Sequence, residues 1–390
     1  MQIAFERESF LRALVGLEQT TLRRTTIPIL TCIRFDASNP ESVTARTTNF
    51  EQQTTIQLSS TPGTPGAPFC TPCRDLLAWA RARPDGALIS LSRDGESAPL
   101  VASSGEARAL FSTLPADDLP LLFDGDNVTA RITLPATRLL DAIEQTRLAV
   151  STETTRFYLN GIHISRDFRA PHNLLFVATD GHRLARTQIA METDVFRDVI
   201  APTAFIDALA PLLKKGPRGA ASCTLAIGPK MIRAQVNGLT LDSILVDGTF
   251  PDWRRVIPDN NDRIAIFDGA ALARIITPAA KATKATKATK SRTLATAVRL
   301  AFRDGRLTVT RRDVESGLET VDSISADYNT EFRKFPEIGF DPRYLLDMLK
   351  TLPGGLKGAV TGCFADAGSP ALFFVESSPE TRHVVMPVRI

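Results

Sequence analysis

The chain has 390 residues with 46 basic and 43 acidic side chains, a formal net charge of +3, 43% hydrophobic and 23% charged residues. That balance is too apolar for a disordered chain and, at roughly 100–200 residues per domain, predicts two to four domains. No apolar run reaches the ~18 residues of a membrane span, the start Glu6-Arg7-Glu8 is unlike a secretory leader, and five sparse cysteines argue against a disulfide framework, so a soluble intracellular protein is expected.

The elements repeat in chain order. An alternating stretch passing into a helical period opens each third, at Ile3–Leu14, Ala130–Ile143 and Ile264–Ile276, with Leu11, Leu139 and Leu272 in register at spacings of 128 and 133. Short β-type runs follow, such as Ile27–Phe35, Leu174–Thr179 before Asp180-Gly181, and Val298–Phe302 before Asp304-Gly305; Asp-Gly supplies the positive φ of a tight hairpin. A second helix then begins on a proline in each third, Pro72–Ala80, Pro202–Leu209 and Pro342–Leu349, each with a Pro/Gly stop beyond it. The Lys-Ala-Thr run from Lys281 to Lys290 lengthens the third copy and predicts a solvated loop or a helix extension. Two helices and many antiparallel strands per copy give an α+β fold in three repeats, 1–128, 129–257 and 258–390, with net charges of −4, +4 and +3.

Catalytic signatures are sparse. The sequence carries no phosphate loop, dinucleotide fingerprint, His-Glu-x-x-His zinc site or nucleophile elbow. Cys70-Thr71-Pro72-Cys73 has a redox or zinc spacing but lacks two further ligands, and it opens a helix whose other copies have no cysteine, so it reads as structural. In Thr179-Asp180-Gly181-His182-Arg183-Leu184, Asp180 and His182 could serve a metal-dependent hydrolase; the plainer reading is a polar hairpin turn.

The motifs Arg24-Thr25-Thr26-Ile27-Pro28-Ile29-Leu30, Ser112-Thr113-Leu114-Pro115, Tyr158-Leu159-Asn160-Gly161, Ala178–Ala185, Leu245–Val256 and Val384–Ile390 stand in order across the repeats. Together they resemble the bacterial DNA polymerase III β subunit family, the sliding clamps. The resemblance implies a head-to-tail homodimer, a six-domain ring with duplex DNA in its hole, twelve helices lining it and sheets outside. It implies a cytoplasmic, nucleoid-associated processivity factor with no catalytic residue, no cofactor and no metal, and no membrane partner. A ring trapped on DNA slides, so its contacts should be phosphate-directed and sequence-blind. Arg12, Arg74, Arg81, Arg138, Arg147, Lys214, Lys215, Arg274, Arg343 and Lys350 are the helix cations available for this.

By resemblance, Arg24, Arg74, Phe157 and Tyr158 stand where the family touches DNA, and Glu153 puts an acid where a polar contact is expected. The family also binds short linear peptides from the polymerase III catalytic subunit, the clamp loader and repair polymerases. The implied pocket is Leu159, Thr179, Gly181, His182, Arg183, Leu184, Pro251, Arg255, Val256, Val384, Met386, Pro387, Val388 and Arg389, a mixture of aliphatic walls, an adaptable methionine and polar groups for the peptide backbone. The net positive charge, the Lys-Ala-Thr run, Ala109 at an expected subunit seam and Thr47–Glu51 depart from the family pattern. They leave open an accessory or plasmid- or phage-type clamp paralogue with a specialised partner set.

Overall fold

The computed structural model describes residues 1–122, 128–167, 172–192, 195–214, 221–288, 297–312, 319–329 and 335–390, with backbone alone for Pro62 and 282–288. Its α-helices are α1 Arg7–Leu17, α2 Cys73–Arg81, α3 Ala136–Thr146, α4 Thr203–Lys214, α5 Gly269–Ala288 and α6 Pro342–Thr351. Each follows a strand directly, or through Asp341 alone: Gln2–Glu6, Phe69–Pro72, Ala130–Pro135, Val199–Pro202, Arg263–Asp268 and Ile338–Phe340. The strand–helix junction therefore occurs twice in each sequence repeat.

Helical spacing explains the burial. Phe10, Ala13, Leu14 and Leu17 form the covered stripe of α1; Cys73, Leu76, Leu77 and Ala80 do so on α2; Leu345, Met348 and Leu349 on α6. Each such leucine contributes about 2 kcal/mol of burial, so packing rather than propensity holds these short helices. Asp341 caps α6 by accepting from the Arg343 N–H at 2.8 Å, and Pro342 fills the first position, whose N–H would have no helical partner.

Two compact units result: Met1–Leu140, Asp194–Phe196 and Ala204–Leu245 in one, Asp141–Thr193, Arg197–Thr203 and Val246–Ile390 in the other. The first holds a five-stranded sheet, ordered Thr61–Thr64, Gln2–Glu6, Leu88–Ser92, Leu100–Ser104, Ala107–Phe111. Its second sheet has nine strands, ordered Leu114–Pro115, Phe69–Pro72, Cys32–Asp36, Ser42–Thr48, Gln52–Ser59, Leu239–Ile244, Met231–Val236, Ser222–Ile227, Ala130–Pro135. The second unit holds one twelve-stranded sheet, ordered Val199–Pro202, Gly161–Arg166, Asn173–Thr179, Arg183–Ala190, Ser378–Val385, Ala371–Val375, Ala359–Phe364, Arg263–Asp268, Glu319–Tyr328, Arg306–Arg312, Val298–Arg303, Ile338–Phe340.

These orders contain one rule. Every repeat has an inner meander ending on a third strand (Gln52–Ser59, Arg183–Ala190 or Glu319–Tyr328) and an outer run ending on a last strand (Ala107–Phe111, Leu239–Ile244 or Ser378–Val385). The third strand of the first repeat pairs antiparallel with the last strand of the second, Leu241 opposite Thr54. The third strand of the second repeat pairs with the last strand of the third, Leu184 opposite Val384. The central repeat thus divides its strands between two sheets.

Local departures from the sequence reading have simple causes. Ile27–Phe35 is not one strand: Pro28–Thr31 forms a 3-10 turn and the strand starts at Cys32. Pro28 has no N–H for a ladder and its fixed φ starts a turn. At Asp304-Gly305 both residues have positive φ, 51° and 71°, closing a two-residue hairpin with Arg303 opposite Arg306. The Lys-Ala-Thr run continues α5 as helix through Ala288, the second of the two expected forms.

Candidate functional site

The Thr179–Leu184 stretch is a hairpin turn held almost wholly by its own polar groups. Gly181 sits at φ +88°, which an L side chain resists. Asp180 Oδ1 accepts from the His182 and Arg183 N–H groups at 2.9 and 3.0 Å. Thr179 Oγ1 donates to the Arg183 carbonyl at 2.7 Å and accepts from the Gly181 N–H at 3.1 Å. Asp180 is thereby spent on the turn: its other oxygen receives Arg183 Nε at 3.1 Å. Among the described residues, no group of three or more His, Cys, Asp or Glu is placed to hold a metal. The hydrolase reading of Asp180 and His182 loses its acid to a structural role.

Arg183 links this turn to α6. Its Nη1 donates to Asp347 Oδ2 at 2.7 Å, and its guanidinium lies 4.5 Å from the centre of the Tyr344 ring. His182, exposed, stacks on the other part of that surface, with ring centres 6.3 Å apart and planes 17° from parallel. Burial, followed by the carboxylates of Asp180 and Asp341, pushes the Tyr344 hydroxyl above its ordinary pKa. The sequence reading does not include Tyr344 or Asp347. Their only signal is an aromatic and an acid in a helix whose covered stripe is Leu345, Met348 and Leu349.

Strand pairing brings the far end of the chain to the same turn. Arg183 stands opposite Val385, and the Met386 N–H donates to the His182 carbonyl at 2.9 Å. The Val388 N–H donates to the Gly339 carbonyl at 2.8 Å, which lays Met386, Pro387 and Val388 along the surface. Beneath, Leu159, Leu184 and Val384 are buried in a cluster with Leu175, Val177, Ile200, Phe250 and Trp253. These three form a floor rather than an accessible wall. Above it, Pro251 and Arg389 are exposed, Val256 is 41% exposed, and Arg255 reaches into solvent while pairing with Asp252 at 3.0 Å. Thr179, Met386 and Pro387 are half-buried. A packed apolar floor with exposed polar edges suits an extended apolar segment.

Phe157 and Tyr158 share the 3-10 turn Phe157–Leu159 and meet edge to face at 5.9 Å; Phe157 is 51% exposed. Glu153 is engaged by Arg156 Nε at 2.9 Å, and that hydrogen bond holds its carboxyl below the usual range. Arg156 also donates to the Asp180 carbonyl at 3.3 Å, so the acid forms a neutral pair beside the turn.

The remaining cations differ in availability. Arg24, Arg12, Arg81, Arg138, Arg147, Lys214, Arg274 and Lys350 are exposed. Arg74 is partly covered and 3.4 Å from Glu18, while Arg343 is engaged by Asp341. Lys215 lies outside the described residues. The five cysteines are free and buried, and desolvation pushes the thiols of Cys70 and Cys73 up to about 12, which leaves them unreactive. No described helix is long and apolar enough to cross a membrane.

Comparison with known proteins gives consistent matches along the chain. Residues 1–123 match the DNA polymerase III beta subunit N-terminal domain, 133–252 its central domain and 254–389 its C-terminal domain. The beta sliding clamp of Caulobacter vibrioides strain NA1000 is 34% identical over 393 residues, covering all of both chains. The crystal structure of the Caulobacter crescentus DNA polymerase sliding clamp superimposes with a TM-score of 0.87 at 33% identity over the whole of each chain. That of the Bartonella birtlesii sliding clamp bound to griselimycin gives 0.88 at 31%, again over both chains entire. Three successive domain matches and full-length relatives, on the threefold strand pattern described above, establish that the chain belongs to the DNA polymerase III β subunit family, the non-catalytic sliding clamps of DNA replication.

Proposed function

We propose that two copies of this chain close head to tail into a ring that slides on duplex DNA and tethers the replicative polymerase as a subunit of its holoenzyme. The observation that carries this is the strand rule. Each third strand meets the last strand of the next repeat, and the pattern runs out with two unmatched partners. Ala107–Phe111, the last strand of the first repeat, ends its sheet and, among the described residues, pairs with Leu100–Ser104 alone. Glu319–Ser325 pairs with Arg306–Arg312 on one edge and, among the described residues, with no strand on the other. Leu110 and Val321, on these two edges, are 66% and 63% exposed. Joining the edges of two copies continues the rule through six repeats and removes both open edges.

The modules of this ring are the repeats 1–128, 129–257 and 258–390. Arg24 and Arg74 meet phosphates, and the Phe157–Tyr158 pair offers a face on which an unpaired base can stack. The floor and edges around Thr179–Leu184, Pro251–Val256 and Val384–Arg389 take short apolar motifs of the polymerase catalytic subunit, the clamp loader and repair polymerases, with Tyr344 as an added wall. Such a ring works on the nucleoid in the cytoplasm. The net positive charge of the chain is the feature that favours the second reading, an accessory clamp with its own partner set.

Sedimentation tests the ring. The native chain should behave as a dimer of 42.4 kDa subunits, and Leu110→Asp should shift it toward monomer. Placing a charge where an apolar side chain is covered costs each seam about 2 kcal/mol or more. An unaltered dimer in both Leu110→Asp and Val321→Asp would refute the seam.

A further inference from the structure

One short segment decides the sign of the chain's net charge. Residues 269–303 hold eight basic side chains and no acidic one, while the other 355 residues carry 38 basic against 43 acidic. Without this segment the chain is acidic. Four of the eight, Arg274, Lys281, Lys284 and Lys287, stand on α5, while Arg299 and Arg303 lie on the strand Val298–Arg303 and pair with Glu337. The helix α5 is 20 residues long where its counterparts α1 and α3 have 11 each. The nine additional residues extend the helix by about 14 Å.

The extension has an unusual composition. Between Lys281 and Lys290 the intervening residues are alanine and threonine only. Positions 281, 284 and 287 fall on helical backbone, and Lys281 and Arg274 are exposed. Lys290 lies outside the described residues. Lysines three apart are helix neighbours, and each like-charged pair destabilises an isolated helix by about 0.2–0.5 kcal/mol. No carboxylate between Asp268 and Asp304 offsets that repulsion within the segment.

We propose that the α5 extension is a cationic arm that binds the phosphates of duplex DNA. This rests on the reading of the chain as a clamp on DNA. A regular row of phosphates supplies the missing negative charge. A protein partner is disfavoured by the same composition: specific protein interfaces use aromatic, long aliphatic or arginine anchors, and the run contains none. A step of about 60° around the axis between successive lysine positions spreads 281, 284 and 287 over about a third of the helix circumference, broad enough for a contact that does not depend on one rotation of the duplex. Contacts of this type carry no sequence information and permit sliding.

The test is the salt dependence of binding to a short fluorescent duplex, measured by anisotropy on the full-length protein. The wild type is compared with the combined Lys281→Gln, Lys284→Gln and Lys287→Gln variant; glutamine keeps the helix propensity near that of lysine. Each phosphate that a lysine no longer neutralises lowers the slope of log K against log salt by about 0.9. If all three lysines meet phosphates, the wild type should weaken about 40-fold more than the variant between 50 and 200 mM salt. A slope difference of about 0.9 or more supports the arm. A smaller difference overturns it, including the case in which the variant instead loses an acidic protein partner. The matching Lys→Arg variant should restore the slope, and an equal thermal midpoint excludes unfolding as the cause. Failure of the clamp reading itself would show separately, as absence of duplex binding by the wild type.

Discussion

His383 provides a pH signature of the strand beside the proposed peptide pocket. It lies on Ser378–Val385, opposite both Ala185 and Phe373, and is 5% exposed. Its Nε2 is 3.4 Å from Thr351 Oγ1 on α6. Burial, helped by the nearby Arg183 charge, pushes its pKa down to about 3 from 6.5. The folded state therefore holds the imidazole neutral across the range in which the unfolded chain takes up a proton. Because the unfolded state binds more protons between the two values, stability falls as pH drops below about 6.5. From pH 7 to pH 5 the loss from this one group amounts to about 2 kcal/mol. The assay is urea unfolding of the wild type and His383→Gln at both pH values, followed by a signal from the second unit. The substitution lowers stability at pH 7 through poorer packing, but it should remove about 2 kcal/mol of the decline on acidification. The carboxylates are common to both proteins, so the difference isolates His383. An equal decline in the two would refute a neutral buried histidine.

Arg183→Ala removes the two carboxylate bonds and the cover over Tyr344 at once. Leaving half-buried acids unpaired should destabilise the turn by about 2–3 kcal/mol, and binding of an apolar peptide should weaken at least tenfold by fluorescence titration. Gly16 on α1 sits against Leu239, where an added Cβ would come within 2.2 Å of Leu239 Cδ1. Gly16→Ala should therefore cost about 1–3 kcal/mol of thermal stability despite the better helix propensity of alanine, with peptide affinity unchanged.

Much of this architecture is legible in the residues because the repeats state it three times. The Asp-Gly turns at 180–181 and 304–305 and the alternating strands follow from local chemistry, and the second helices stand where the prolines announce them, although of these prolines only Pro342 is itself helical while Pro72 and Pro202 end the preceding strands. Ile27–Leu30 misleads because its apolar run reads as strand while Pro28 makes a turn. The division of the central repeat between two sheets depends on edge pairing between distant strands, which periodicity does not encode. Tyr344 is hidden for the same reason: only the fold sets it beside His182 and Arg183. Motif agreement reads Leu159, Leu184 and Val384 as wall, whereas their burial turns them inward to the floor.

The central claim is topological, and retention on DNA of defined topology tests it most directly. Protein assembled by a relative's clamp loader onto a nicked circular plasmid should stay with the plasmid through gel filtration, and should be released when the plasmid is cut once. Equal retention on the circular and the linear form would contradict encirclement and show a grip that owes nothing to a closed ring.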